Sequence, residues 1–339
     1  MSTQATMRAI VAHGYGPPTG LTLAEVPIPE PGPGRIRVRI AATALNPADL
    51  NTLGGAFGDL VPLAFPHVPG SDFAGTVTDV GAGVTRFAPG DEVFGVALPR
   101  AAVGMAAMLA DPPSLTTGTA AEYAVFEADS PALAPRPAGL SAERAAALPI
   151  VGLTALAVLR AGRFRAGDRV LVIGATGGVG SAVLPLLAEA GVHVIATAGA
   201  VDAGWVRGLG AGEVVDHHAV DTVADVARRY PASLHGVVNL ALPGDALTGH
   251  PALIRPGGRL LNIAFPAPDP ADFADRDITV ETVYGAARPG DLDALAAHAL
   301  AGTLPDPIGA RYTLADGVRA YVALREEHTR GKIVVTIDD

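Results

Sequence analysis

Two textures of apolar and polar positions divide the chain. From Met7 to about Phe126 the apolar residues come in short runs broken by Gly and Pro. Arg8–Ala12 and Gly20–Ala24 read as short strands, and Pro27–Gly34 as turn material. Arg35–Ala42 alternates polar and apolar residues, the pattern of a half-buried strand. Asn46-Pro47-Ala48-Asp49-Leu50 predicts a capped helical turn with Pro47 in first position. Phe73–Val80, Glu92–Val96 and Tyr123–Phe126 are further strands. Many short strands between glycine turns predict a compact β-rich domain, with a barrel as one way of closing it.

From Ser141 the pattern changes. Ser141 can cap a helix, and Gly152–Leu159 is an apolar helical stretch. Apolar runs near 170–173, 192–197, 213–215, 236–241 and 259–264 then alternate with helical segments, which predicts a parallel, doubly wound sheet. Asp291–Ala301 and Ala315–Glu327 read as helices. A last strand, Gly331–Ile337, is expected to return to the first domain.

The second half is organised around Asp168–Ala198. Val170–Ile173 is too short for a helix and rich in β-branched residues, as a buried parallel strand is. Gly174-Ala175-Thr176-Gly177-Gly178-Val179-Gly180 follows, then a helix from about Val179 to Ala190 and a strand over Val192–Thr197. In a strand–turn–helix context, glycines let backbone N–H groups approach a pyrophosphate, and the helix N-terminus favours its charge. Ala175 stands where G-x-G-x-x-G has its first Gly. An ordinary tight turn without a ligand is the alternative.

Composition narrows the chemistry. With 339 residues the chain can form two domains with large cores. It has no cysteine, which removes thiol catalysis, disulfides and Cys-ligated zinc. A net charge of −10 argues against a nucleic-acid partner. The patch at Arg35, Arg37 and Arg39 alternates with Ile36, Val38 and Ile40 and reads as the wet face of a strand. No apolar run reaches the roughly 18–20 residues that span a bilayer. The start MSTQATMRAI lacks a signal-peptide pattern, so cytoplasmic residence is expected. The nine histidines show no paired ligand spacing, and His217-His218 read as solvent-facing residues on a surface turn. Pro99–Gly118, rich in Ala and Met and then in Pro, Ser and Thr, is either a lid over a pocket or a surface loop.

Several stretches, in order, resemble the medium-chain dehydrogenases/reductases. His67-Val-Pro-Gly-Ser-Asp-Phe-Ala-Gly-Thr-Val77 resembles their P-G-x-[ED]-x-x-G-x-V box, and Phe87–Phe94 the turn and strand that follow. Ala146–Ala155, the glycine stretch and His328–Val335 complete the series, so the resemblance spans almost the whole chain. The A-x-G-G-V-G turn is similar to that of the zinc-free, zeta-crystallin-like quinone oxidoreductases. The resemblance implies an α/β fold: a GroES-like β-rich catalytic domain over 1–150 and 267–339, and a Rossmann doubly wound parallel-sheet cofactor domain over 151–266. It also implies a homodimer formed through the cofactor domain, near an edge strand at Arg259–Ala264.

The departures from the family pattern shape the functional expectation. The zinc-ligand positions of related alcohol dehydrogenases match Asn46, Ser71 and the stretch around Pro149–Ile150, so no metal is expected. What remains is hydride delivery from a nicotinamide to a quinone or an activated C=C (enone). The resemblance implies that Asn46 reaches the nicotinamide side, Thr154 holds the carboxamide and Lys332 lies close to the cofactor. Ala175, Thr176, Gly177, Gly178, Val179, Thr197, Ala198 and Gly199 are expected along the dinucleotide, with Leu240, Ala241, Ala264 and Phe265 flanking the ring. A helix cap before Pro47 is the structural alternative for Asn46, and Asp49 reads as structural.

No clear acid emerges. Asn51 stands where some relatives carry a Tyr, and an amide is no practical proton donor. Tyr123, Tyr284 and water are the other options. The end of the second Rossmann strand, Ala196–Ala200, has no acid to take a ribose 2′-OH, which favours NADP(H) without excluding NAD(H). A tailoring enoyl reductase of secondary metabolism is a second reading. A non-catalytic nucleotide-binding sensor or structural protein is a third.

Overall fold

The computed structural model describes residues 5–337 apart from 57, 59–61, 98–113, 115–116 and 249. The lid or loop expected over Pro99–Gly118 therefore lies, except for 114, 117 and 118, outside the described residues. The chain divides into two units. The first runs to Ile150 and takes in Ala287–Leu300 and the chain from Ile308; the second is Val151–Ala286 with Ala301–Pro307.

The first unit contributes β1 (Thr6–Val11), β2 (Thr22–Pro27), β3 (Arg35–Ala44), β4 (Asp72–Val80), β5 (Glu92–Val96), β6 (Tyr123–Glu127) and β7 (Leu133–Pro135). The second contributes β8 (Arg169–Ile173), β9 (His193–Thr197), β10 (Glu213–Val215), β11 (Leu234–Asn239), β12 (Ile254–Asn262) and β13 (Thr279–Thr282). β14 (Ile308–Thr313) and β15 (Lys332–Thr336) return to the first.

β1 and β2 form an antiparallel pair. The main sheet of the first unit runs β14-β15-β3-β4-β5-β7, and β6 also pairs with β3. The alternation in β3 does what it predicts: Ile36, Val38 and Ile40 are buried while the arginines between them reach solvent. Register then places Arg35 opposite Glu127, and the two form an ion pair of 2.8 Å. Beneath them Phe73 and Phe126 stack at 4.0 Å between ring centres.

The second unit's sheet is parallel throughout and ordered β10-β9-β8-β11-β12-β13. Counted within the unit this is 3-2-1-4-5-6, the dinucleotide-binding order, which reverses between β8 and β11. Val170, Leu171, Val172 and Ile173 are all buried, because a central parallel strand is covered on both faces.

Two expectations are corrected here. Residues 267–286 and 301–307, assigned by sequence to the first domain, belong to the second unit; β13 carries the first of these stretches, pairing in parallel with β12 from Arg259↔Thr279 to Asn262↔Thr282. For the same reason Arg259–Ala264 is no edge strand: β12 lies between β11 and β13.

Candidate functional site

In the second unit, β8 ends at Ile173 and the chain turns through Gly174 at φ +82°, a conformation that favours glycine. A Cβ there would lie 2.9 Å from the Cβ of Ala241 and 3.2 Å from that of Leu240. The chain leaving β11 thus packs on the turn. The Gly174 N–H donates to Thr197 Oγ1 at 3.0 Å, which ties the end of β9 to the same point.

Ala175, expected along the dinucleotide, is fully buried, backbone included, so it supports the turn from within and does not face a ligand. A Cβ at Gly180 would meet the Ala175 carbonyl oxygen at 2.4 Å, so the first helical turn can lie this close only with glycine. The helix Gly178–Glu189 starts from Gly177 as its N-cap, and Thr176–Val179 are half-buried and reachable. The N–H groups of a first helical turn lack intrahelical partners, and together with the helix dipole they form an anion site. The geometry fits the pyrophosphate of a dinucleotide.

The other second-unit residues singled out from sequence are spread around the strand ends. Ala198 is buried and its N–H donates to Val215 O at 3.1 Å. Gly199 is buried and is overlaid by the ring of His218. The Ala264 carbonyl accepts from Asn262 Nδ2 at 2.7 Å, while Phe265 is 58% exposed. Thr154 is buried on the helix Pro149–Gly162, and a Cβ at Gly285 would lie 2.6 Å from its Oγ1. The sequence reading missed the pair formed by Asn239 and Asn262, both fully buried at the C-terminal ends of adjacent strands and joined by a 2.7 Å hydrogen bond. An Asn at the end of each of two apolar runs was the available signal.

In the first unit, strand register assembles a buried polar cluster. β15 pairs antiparallel with β3, Val334 opposite Ala44, and β4 pairs with β3, Ala44 opposite Asp72. Lys332, Asn46 and Asp72 meet as a result. Lys332 Nζ donates to Leu45 O at 2.8 Å, Asn46 Oδ1 at 2.5 Å and Asp72 Oδ2 at 3.2 Å. Asn46 Nδ2 donates to Ala44 O at 3.2 Å and Asp72 Oδ2 at 3.0 Å. The Ile150 N–H donates to the other Asp72 oxygen at 2.9 Å.

Asp49, on the helix Pro47–Leu53, accepts from the Asn46 N–H at 2.9 Å and from Ser71 Oγ at 2.7 Å. Burial pushes its carboxyl up to about 6, against those hydrogen bonds and the charge of Lys332. Burial also raises Asp72, although Lys332 and the Asn46 amide pull it back.

All three ammonium hydrogens of Lys332 and both amide hydrogens of Asn46 are thus committed inside the first unit. Asn51 sits on the exposed side of the same short helix. Tyr123 is half-buried in β6, and Tyr284 is 69% exposed.

The cluster does not fit a zinc ion. Zinc takes thiolate, imidazole and carboxylate ligands, whereas the matching positions present an amide already hydrogen-bonded and a hydroxyl given to Asp49. Among the described residues there is no group of three His, Cys, Asp or Glu placed to hold a metal. Nor is any helix among them long and apolar enough to cross a membrane.

Comparison with known proteins agrees with this anatomy. Residues 32–137 match the alcohol dehydrogenase GroES-like domain, and residues 209–335 match the zinc-binding dehydrogenase domain. The chain is 34% identical to a chloroplast envelope quinone oxidoreductase homolog of Arabidopsis thaliana over 68% of each chain. It is 30% identical to a chloroplastic quinone oxidoreductase of Triphysaria versicolor over 97% of this chain and 98% of that one. The solved quinone oxidoreductase of Coxiella burnetii superposes with a TM-score of 0.86 at 26% identity, covering 98% of this chain and 100% of that one. With a GroES-like unit, a parallel dinucleotide-binding sheet and these relatives, the chain belongs to the medium-chain dehydrogenase/reductase superfamily, in its quinone oxidoreductase branch.

Proposed function

We infer that this oxidoreductase uses NADP(H) to reduce a quinone or an activated C=C. One observation carries the cofactor choice. β9 runs out through Thr197-Ala198-Gly199-Ala200 with no acid, and the next acid, Asp202, is only 2% exposed and out of reach of a surface ribose. An NAD-selective sheet places an accessible carboxylate at this point.

When bound, the reduced nicotinamide supplies a hydride. The chain's own contribution starts at the Gly174–Gly180 turn, whose first helical N–H groups hold the pyrophosphate. Thr197 fixes that turn through the Gly174 N–H, and Leu240 and Ala241 back it. Lys332 and Asn46 spend their polar hydrogens on the first unit and act by holding the ends of β3, β4 and β15 in register. Asn51 supplies no proton, and the product proton is taken from water.

Mixing the pure protein with NADPH or NADH and a panel of quinones and enones, and following loss of the reduced nicotinamide, tests this. NADPH is expected to be consumed with at least one acceptor, and faster than NADH. Cofactor binding with no turnover on any acceptor would leave the nucleotide-binding protein as the better account.

A further inference from the structure

We propose that Asp49 and Ser71 form a relay that hands a water-derived proton to the reduced substrate, a role that rests on the reductase reading above. Hydride addition to a quinone or to an activated C=C leaves a negative oxygen, that of a quinol anion or an enolate. The reaction closes only when a proton reaches it, and the amide of Asn51 has none to give.

The buried polar groups of the first unit differ in what they can do with a proton. Lys332 Nζ has given its three hydrogens to Leu45 O, Asn46 Oδ1 and Asp72 Oδ2. Both oxygens of Asp72 are taken, one by Lys332 and Asn46 and the other by the Ile150 N–H. Tyr321, on the helix Gly317–Glu326, is fully buried, and burial and the charge of Asp49 make its hydroxyl hold its proton more tightly than an ordinary tyrosine.

Asp49 differs from these in having an outlet. One of its oxygens accepts the Asn46 N–H, a backbone amide that keeps its hydrogen, and the other accepts the Ser71 hydroxyl at 2.7 Å. Asp49 is 5% exposed, whereas Ser71, just ahead of β4, is half-buried, so the hydroxyl links the carboxyl to the outside. Burial and the nearby Asp72 raise the Asp49 carboxyl to about 6, against Lys332 and its two hydrogen bonds. An acid poised this close to neutrality is both protonated in part and ready to release its proton.

Ser71 also stands at a position matched to a zinc ligand of related alcohol dehydrogenases, where a metal would polarise a carbonyl oxygen. A hydroxyl donates one hydrogen bond and accepts others, so at this position it can pass a proton along. With the substrate oxygen on Ser71 Oγ, the hydroxyl proton moves to that oxygen while the Asp49 proton moves to Oγ. An O–H bond forms on the product and one breaks on Asp49, which is left as the carboxylate and regains a proton from water. The acceptor thus gains two electrons and one hydrogen as hydride, and its second hydrogen as the proton from the relay.

Single-turnover oxidation of NADPH across pH 5–9, with the acceptor the quinone and enone panel identifies, tests the relay in the wild type, Ser71→Ala, Ser71→Thr and Asp49→Asn. The wild-type rate is expected to fall as pH rises above about 6. Ser71→Ala and Asp49→Asn should be slower by about a hundred-fold, the lower end of what a positioned acid contributes, and should lose that fall with pH. Ser71→Thr keeps the hydroxyl and should keep both the rate and the pH profile. Equilibrium titration of NADPH should give the wild-type affinity in all three variants, which separates proton delivery from damage to the fold. Ser71→Ala at the wild-type rate, or slowed variants that retain the wild-type fall with pH, overturns the relay and leaves the reductase reading standing. A wild type that oxidises NADPH with none of the acceptors overturns that reading, and the relay with it.

Discussion

Lys332 and Asp72 form an ion pair, Nζ to Oδ2 3.2 Å, with side chains only 3% and 0% exposed. Removing one partner of such a pair strands a charge in the interior, whereas removing both does not. Lys332→Met is therefore expected to cost about 3–5 kcal/mol of unfolding free energy in urea. The double variant Lys332→Met/Asp72→Asn should recover part of that loss, with a coupling energy of about 1 kcal/mol or more. Strictly additive losses would show that the pair does not act as a unit.

A second expectation concerns Gly180. An added Cβ there meets backbone, the Ala175 oxygen at 2.4 Å and its Cα at 2.7 Å, and backbone cannot swing aside as a side chain can. Gly180→Ala must open the turn that presents the first helical N–H groups. We expect a stability loss of about 1–3 kcal/mol, as for other overpacked sites, together with weakened NADPH binding in an equilibrium titration of the pure protein. Unchanged NADPH affinity would place the pyrophosphate elsewhere.

How much of this was legible in the sequence follows from how each feature is encoded. The central strands were legible because Val170–Ile173 and its counterparts are continuous apolar runs, and burial on both faces demands them. β13 was not. Thr279-Val-Glu-Thr282 is an edge strand of mixed exposure without an apolar run, and missing it moved the domain boundary from 286 to 266.

The glycine turn was legible because its residues are consecutive. The Asn46–Lys332 contact joins positions 286 residues apart and exists only through the β3–β15 register, which local patterning does not encode. The same holds for His218 and Gly199: in sequence the adjacent histidines are a wet turn, and only the pairing of β10 with β9 brings the His218 ring over Gly199.

The buried pair Asn239–Asn262 leads to a third expectation. Asn239 Nδ2 donates to Asn262 Oδ1 and to Leu242 O, both at 2.7 Å, and Asn262 Nδ2 donates to Ala264 O. The pair thus sets the course of the chain just past β11 and β12. Asn262→Leu leaves one Asn239 hydrogen and the Ala264 carbonyl without their partners, at a cost of about 1–3 kcal/mol for each buried group left unsatisfied. Chemical denaturation of the variant checks the cost. A loss below about 0.5 kcal/mol, the range of ordinary surface substitutions, would show that the pair is dispensable.

Asp49 gives the pH dependence. Burial raises its carboxyl from an ordinary 3.8 to about 6, so the folded protein holds this proton more tightly than the unfolded chain does. Between those values the native state binds more protons, and stability falls as pH rises. The contribution is fully present below about pH 4, is lost through about pH 6 and is flat above. Its size is about 3 kcal/mol, taking 1.36 kcal/mol for each tenfold change in proton affinity. The same charge acts on Tyr321: burial first, and then Asp49, push its hydroxyl well above the usual tyrosine range. Asp49→Asn removes the titration. It also turns an amide toward the Ser71 hydroxyl or the Asn46 N–H, so the variant is expected to be less stable overall. The decisive readout is therefore the slope: urea midpoints of the wild type should fall from pH 4 to pH 6 by more than those of Asp49→Asn. Parallel curves over that interval would mean that Asp49 ionises in the folded protein as it does in the unfolded chain.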